Sequence, residues 1–329
     1  MLYHSLEEIC ALADKEKKPF WEIVADDTCT ELSISLEEAL ARMQETYQVM
    51  RESDRNYDLK KKSGGRMAGG DGQKIADFCG KGRNLSGAFI GKVMERAVKM
   101  AETNACMGRI VAAPTAGSCG VLPAVLLTYE ELEMREKEEN GSSRTDVEDQ
   151  AARADAGAKT DAGGRESEES RENLLAEALF TAAGIGQIIA EKASLAGASG
   201  GCQAEIGSAS GMAAAALTFL RGGTNLQCCD AAAIALKSLM GLVCDPVAGL
   251  VEVPCVKRNV AGAVNAVTAS DMVMAGVRSV IPADEVIEAM GEVGRDMSQK
   301  FRETSEGGLA ATPTGKRLAE EIIRREQGK

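Results

Sequence analysis

The chain of 329 residues holds a single histidine, His4, and aromatic residues make up only 3% of it. His4 sits at a peripheral N-terminus and is assigned no chemistry, so the commonest proton acceptor of enzyme sites is missing. With few aromatics, alanine and glycine carry much of the bulk. Such residues bury little area each but let helices approach closely, so many helices must pack together. β-branched alternation is scarce as well, which argues against a sandwich and for a mainly α fold. There is no basic excess: 38 Lys and Arg face 50 Asp and Glu, a net charge of −12, and a nucleic-acid surface would need the opposite. The opening "MLYHSLEEIC" turns acidic at once and has no apolar core of a secretory signal. Apolar stretches such as 205–220 are too short or too glycine-interrupted to cross a bilayer. Neither nucleic acid nor membrane is expected as a partner, and an oligomer is.

What is present is length enough for a substantial core, in one large domain or two smaller ones. The ten cysteines, with no secretory signal, point to a reducing cytoplasm and to metal binding or catalysis rather than disulfides. Capping boxes at Ser5/Glu8 and Ser35/Glu38 open N-terminal helices within 1–60, the second running to about Asn56. A glycine-rich loop follows at 62–73. Helical patterns then cover about 85–104, 120–138, 172–196, 203–220, 229–242, 259–280, 284–299 and 316–327. Residues 130–172 carry 15 acidic side chains against 7 basic ones and almost no large apolar ones. A segment of that kind cannot offset its ordering entropy by burial, so 134–171 reads as an acidic, disordered insertion.

Three cysteines lie in glycine- and proline-broken segments: Cys202 in "GASGGCQAEIGSASG", and Cys244 and Cys255 at the two ends of "CDPVAGLVEVPC". Cys202 precedes a helix-forming run, where free N–H groups and the macrodipole favour a thiolate. A free cysteine is also often a small buried hydrophobe. Zinc sites usually show C-x₂₋₄-C pairs, and the chain has none. Cys228 and Cys229 are adjacent in a packed helix and unsuited to share an ion, and Cys10, Cys29, Cys79, Cys106 and Cys119 read as structural. Spacing alone leaves a three-thiolate site and three structural cysteines both open.

Four strings resolve the choice by resemblance: "NACMGRIVAAPTAGSCGVLPAVLL" (104–127), "GGCQAEIGSASGMAAAAL" (200–217), "AAAIALKSLMGLVCDPVAGLVEVPCVKRN" (231–259) and "GGLAATPTGKRL" (307–318). They resemble the α chain of the iron–sulfur-dependent L-serine dehydratases over nearly the whole sequence apart from 134–171. The resemblance implies a single helical catalytic domain over 1–329, a [4Fe–4S] cluster held by Cys202, Cys244 and Cys255, and a separate β chain, fused to the α part in some members. Three thiolates leave one iron without a protein ligand, free to act as a Lewis acid toward the hydroxyl of L-serine. Lys257 and Arg258 are placed to balance the charge of such a centre.

The same resemblance moves several loop residues toward substrate contact. In "APTAGSCG" (113–120), Thr115, Gly117 and Ser118 precede a helix whose leading N–H groups suit a carboxylate; an ordinary turn capped by Ser118 is the plain alternative. Gly69, Gly70 and Asp71 match a Gly-Gly-Asp run of the family, in a loop that forms an anion nest or lid, or merely a surface turn. Arg258 and Asn259 follow Cys255 directly and are candidates for cluster or carboxylate contact. No base is evident. Lys257 and Lys237 would serve only if desolvated, and a histidine from the β chain is the preferred source. The S-x-K-x-R-G string of pyridoxal-phosphate dehydratases is absent. The expected activity is deamination of L-serine to pyruvate and ammonia. The alternatives are a cluster-dependent L-cysteine desulfidase, or lyase of another β-substituted amino acid, and a non-catalytic oxygen- or iron-sensing cluster protein.

Overall fold

The computed structural model describes residues 2–134 and 168–327, and most of the acidic stretch 134–171 lies outside them. Twelve helices of nine residues or more organise the described part: α1 Leu6–Glu16, α2 Phe20–Leu32, α3 Leu36–Arg55, α4 Asp71–Cys79, α5 Gly87–Ala105, α6 Val121–Tyr129, α7 Glu168–Lys192, α8 Ser208–Leu220, α9 Asn225–Ser238, α10 Cys255–Met274, α11 Ala283–Asp296 and α12 Pro313–Glu326. Among the described residues there is no strand, only a parallel bridge between Cys244 and Arg302.

Helix α8 is the axis of the fold. It is alanine-rich and buried at every position except Phe219, as a helix apolar all round must be. Helices α6, α7, α9 and α10 pack around it, with α2 and α3 outside α7 and α4 and α5 outside α6 and α10. Small side chains set these distances. A Cβ at Gly211 of α8 would stand 3.1 Å from Leu236 of α9, and one at Gly184 of α7 would stand 2.6 Å from Val24 of α2. Helix α7 is long and apolar enough to cross a membrane by composition, yet 67% of its most apolar window is buried inside the fold.

Local signals account for the helix starts. The Ser5 hydroxyl accepts the Glu8 N–H at 3.0 Å, while the Glu8 carboxylate takes the N–H of His4 at 2.6 Å, one residue earlier than a strict capping box. Ser35 accepts from Glu38 N–H at 3.2 Å. At α9, Thr224 and Gln227 complete a reciprocal box, which starts the helix four residues before the position expected from the apolar pattern. Helix α10 likewise begins at Cys255 rather than 259, because Pro254 serves as its N-cap.

Two edges of the expected insertion prove ordered. Met134 ends a π turn, Glu130–Met134, and residues 168–171 open α7. The reason is a buried ion network. Glu130 receives two N–H groups of Arg51 and the Tyr47 hydroxyl, Arg51 also reaches Glu172 at 3.0 Å, and Arg171 lies 3.8 Å from Glu130. The two ends of the acidic stretch are thus tied to one arginine of α3.

One carboxyl in this core works against stability. Burial, reinforced by the neighbouring Glu22, raises Glu177 of α7 to about 7. The folded chain therefore holds a proton that the unfolded chain releases at its ordinary value of 4.5, so stability falls as pH rises from about 4.5 to 7. Glu177→Gln is expected to gain about 1–2 kcal/mol at pH 8, allowing for partial solvent screening. It should gain nothing at pH 4; thermal melts at the two pH values check this.

Candidate active site

Cys202, Cys244 and Cys255 are all buried, at 2%, 3% and 8% exposure, and they reach one region from three elements. Cys202 follows Gly201, whose φ of 75° and close approach to Leu242 O and Met297 leave no room for a side chain. The next residue, Gln203, anchors the turn by three bonds: its N–H donates to Leu242 O, its Oε1 accepts Gly241 N–H, and its Nε2 donates to Met290 O. Cys244 is pinned through its backbone, its N–H donating to Phe301 O and its carbonyl accepting Glu303 N–H, both at 2.8 Å. Cys255 is the first residue of the 20-residue helix α10, so its sulfur stands at the positive end of the macrodipole.

The three thiols lie within electrostatic reach of one another: Cys255 acts on Cys202, and both act on Cys244. Burial pushes Cys202 up to about 12 and Cys255 up to about 11, in each case opposed by the positive charge of Arg258, and it raises Cys244 further. Left to themselves these are protonated thiols. Among the described residues no three His, Cys, Asp or Glu side chains gather tightly enough for a single metal ion. A cluster, whose own irons and sulfides hold its ligands apart, asks for a wider triangle of soft sulfur donors. Three desolvated thiols within electrostatic reach of one another, with a guanidinium acting on two of them, are compatible with that requirement.

Arg258 is held rather than free. It pairs with buried Asp245 at 2.8 Å and donates to Val243 O at 2.7 Å, so it braces the Cys244 segment while lending its charge to the sulfurs. Asp245 also accepts Leu309 N–H at 2.7 Å, which brings in the C-terminal "GGLAATPTG". Asn259 is fully buried and fully used. Its Oδ1 accepts Gly120 N–H at 2.8 Å, and its Nδ2 donates to Gly117 O and to Cys255 O. It staples the 113–120 loop to the first turn of α10 and has no group left for a substrate.

In that loop, Thr115 and Ser118 bond each other across a 3₁₀ turn, Ala116–Ser118. Thr115 also donates to Glu205 Oε1 at 2.8 Å. Glu205 is the residue that sequence reasoning passed over. It lies in the π turn Gln203–Gly207, three positions after Cys202 and therefore on the same helical face. Its Oε2 is 3.8 Å from the Cys244 sulfur, and its charge acts on all three thiols. Burial raises its own carboxyl, against the opposing bond from Thr115.

The glycine loop is a nest, but this chain fills it. Glu102, 1% exposed, accepts the N–H groups of Gly69, Asp71 and Gly72 and the Tyr57 hydroxyl, and the same hydroxyl accepts Gly70 N–H. Glu252 accepts Ser63 Oγ–H, Gly65 N–H and Met67 N–H. The backbone donors of Gly69 and Gly70 are thus engaged internally. The Asp71 side chain is engaged too: it bonds Lys257 at 2.7 Å and Lys74 at 2.8 Å and is held down to about 2 by those two ammonium groups.

None of the candidate bases stands free. Lys257 is taken by Asp71, Lys237 donates to the carbonyl and hydroxyl of Ser279, and His4 bonds Glu191 on the surface. A cavity of about 250 Å³ is lined by Glu102 and, among others, Ser53, Asn56, Tyr57, Lys61 and Arg109. It includes none of the three sulfurs.

Residues 15–310 match the family model of the serine dehydratase alpha chain. The sequence is 46% identical over 257 residues to the probable L-serine dehydratase, alpha chain, of Bacillus subtilis (strain 168), covering 78% of this chain and 74% of that one. It is 35% identical over 324 residues to the L-serine dehydratase, alpha chain, of Peptoniphilus asaccharolyticus, covering 98% and 99%. Against L-serine dehydratase 2 of Escherichia coli (strain K12) it is 40% identical over 215 residues, 65% of this chain but only 40% of that longer protein.

Proposed function

The chain belongs to the serine dehydratase alpha chain family, and on that premise we propose that it is the α chain of an L-serine dehydratase, a lyase forming pyruvate and ammonia, that works with a β chain and a [4Fe–4S] cluster in the cytoplasm as part of an oligomer. The observation that supports the cluster assignment is that Cys202, Cys244 and Cys255 are all buried and within electrostatic reach of one another, with the charge of Arg258 acting on Cys202 and Cys255. When bound, the cluster supplies a Lewis acid that eases departure of the substrate's β-hydroxyl group.

This chain's own residues do the rest of the holding. Arg258 offsets the negative charge that three thiolates bring, and Asp245 keeps it in place. Asn259 fixes the 113–120 loop against the ligand helix. The 113–120 loop, whose Ala116–Ser118 turn leads into α6, is the proposed seat of serine's carboxylate, since the leading N–H groups of a helix favour an anion. Thr115 closes that turn on the side of Glu205. With Lys257, Lys237 and His4 each engaged elsewhere, the group that removes the α-proton is assigned to the β chain.

The test is reconstitution without air. The α chain, its β chain, iron and sulfide together are expected to convert L-serine to pyruvate, and to act on L-cysteine at less than about a tenth of that rate, a difference of about 1.4 kcal/mol in the barrier. Full activity from the α chain alone would remove the β-chain base. No pyruvate from the complete mixture would remove the dehydratase assignment.

A further inference from the structure

The sulfur of Cys10 on α1 lies 3.7 Å from that of Cys229 on α9, 219 residues away in sequence. That is contact distance, against about 2.05 Å in a disulfide bond. The packing of the helices brings them together. Leu6 and Glu7, in the first turn of α1, donate their N–H groups to the two carboxylate oxygens of Asp284 on α11, each at 3.0 Å. Leu6 and Ile9 are buried, and α1 packs against both α9 and α11. Cys10 follows directly on that anchored turn and is held against α9.

The two thiols differ in the way an oxidisable pair requires. Cys10 is half-buried and reaches solvent, whereas Cys229 is 5% exposed. The shared proton therefore stays with Cys229, and negative charge settles on Cys10. The bond from Cys229 lowers Cys10 below the ordinary thiol value of 9.0, against burial and the charges of Asp14, Asp284 and Glu7. The same bond, with burial, raises Cys229 well above that value. Cys29, Cys79 and Cys106 are half-buried too, but each is raised, chiefly by burial. Attack on an oxidant needs a thiolate within its reach, and a second thiol close by resolves the product. Cys10 has both.

We propose that Cys10 and Cys229 form a redox-modification site, closing into a reversible disulfide when a small peroxide reaches the chain. The Cys10 thiolate attacks one peroxide oxygen and the O–O bond breaks. The other oxygen leaves as hydroxide and takes up the proton that Cys10 has lost, giving water and a sulfenic acid on Cys10. The Cys229 sulfur then attacks the Cys10 sulfur: the S–S bond forms, the S–O bond breaks, and the hydroxyl departs as water with the Cys229 proton. Two thiols are oxidised and one peroxide is reduced to two waters. The bond staples α1 to α9 across a long stretch of chain, which constrains the unfolded state. In a reducing compartment thiol exchange reopens it, so it is a transient state and no permanent bridge. The site needs no cluster and stands apart from the dehydratase reading.

The test uses the full chain, purified without air, and its Cys10→Ser and Cys229→Ala variants. Each is treated with a small excess of hydrogen peroxide, blocked with an alkylating reagent, digested and mapped by mass spectrometry. The parent is expected to yield a peptide pair joined from Cys10 to Cys229, lost on treatment with dithiothreitol. Cys229→Ala should stall at a Cys10 sulfenic acid, which dimedone captures. Peroxide should also widen the gap in melting temperature between the parent and Cys10→Ser by at least about 4 °C, and dithiothreitol should close it again. Comparing the two chains after the same treatment cancels whatever peroxide does elsewhere in the protein. Cys10 and Cys229 recovered unlinked, a link from Cys10 to Cys228 instead, or an unchanged gap overturns the assignment. Absence of the dimedone adduct from a folded Cys229→Ala chain denies that Cys10 is the attacking thiol.

Discussion

Cys244→Ser, purified without air, is expected to fold but to retain less than about a tenth of the parent's iron, with serine turnover at least a thousandfold lower, roughly 4 kcal/mol of lost transition-state stabilisation. The residue's backbone bonds to Phe301 and Glu303 do not involve the sulfur, so the bridge survives the change. A hydroxyl in its place is a harder and far less acidic ligand for iron than a thiolate. Cys202→Ser and Cys255→Ser should behave alike, since the three sulfurs act as one donor set. Cys79→Ser, at a partly exposed thiol of α4 raised chiefly by burial, should leave iron and activity as they are. Iron and sulfide analysis beside a denaturation curve for each variant checks all four. A Cys244→Ser chain that keeps full iron would mean that sulfur holds nothing.

Glu252→Ala carries the largest expected cost in stability, about 3–5 kcal/mol. Its carboxylate is 3% exposed and is the acceptor for Ser63 Oγ–H, Gly65 N–H and Met67 N–H, three donors that burial would leave without a partner. The same residue sits three positions before Cys255, and its carbonyl accepts the Val256 N–H in the first turn of α10. Releasing the glycine loop therefore loosens the start of the helix that presents a proposed ligand. Glu252→Gln keeps the shape and one acceptor oxygen, and about half the loss is expected. Urea midpoints measure the cost, and amide exchange over 63–70 shows whether the loop opens. An unchanged midpoint with unchanged exchange would deny the clamp.

Sequence pattern and structure agree where the physics is local. The boxes at Ser5 and Ser35 start helices as their spacing requires, and the alanine run after Cys202 becomes the buried axis α8. Helix α2 escapes pattern reading because its N-cap is Pro19, with no side-chain cap bond, and its face mixes acidic with β-branched residues. Helix α4 begins at the left-handed Gly70 inside the nest, so the turn signal masks the helix that follows. The segments around Cys202, Cys244 and Cys255 stand out because glycine and proline break the backbone there.

The partners of those segments do not stand out. Glu102 and Glu252 fill a loop from positions remote in sequence, and nothing in a solitary glutamate announces that it will be buried under backbone donors. Asn259 similarly reads as part of a charged run, and only the approach of Gly117 and Gly120 shows that its amide is spent on the scaffold. Glu205 had a local signal, its three-residue step from Cys202, but that step gains meaning only when Thr115 and Cys244 arrive on the same side.

The central claim is that three cysteines of this chain hold an iron–sulfur cluster with one iron left to the substrate. Mössbauer spectroscopy of the iron-enriched, anaerobic holoenzyme, recorded before and after L-serine is added, tests it most directly. The account predicts about four irons per α chain, of which roughly one in four changes its signal with serine while the others stay as they were. A spectrum in which serine changes nothing, or in which every iron already has a cysteine ligand, contradicts it.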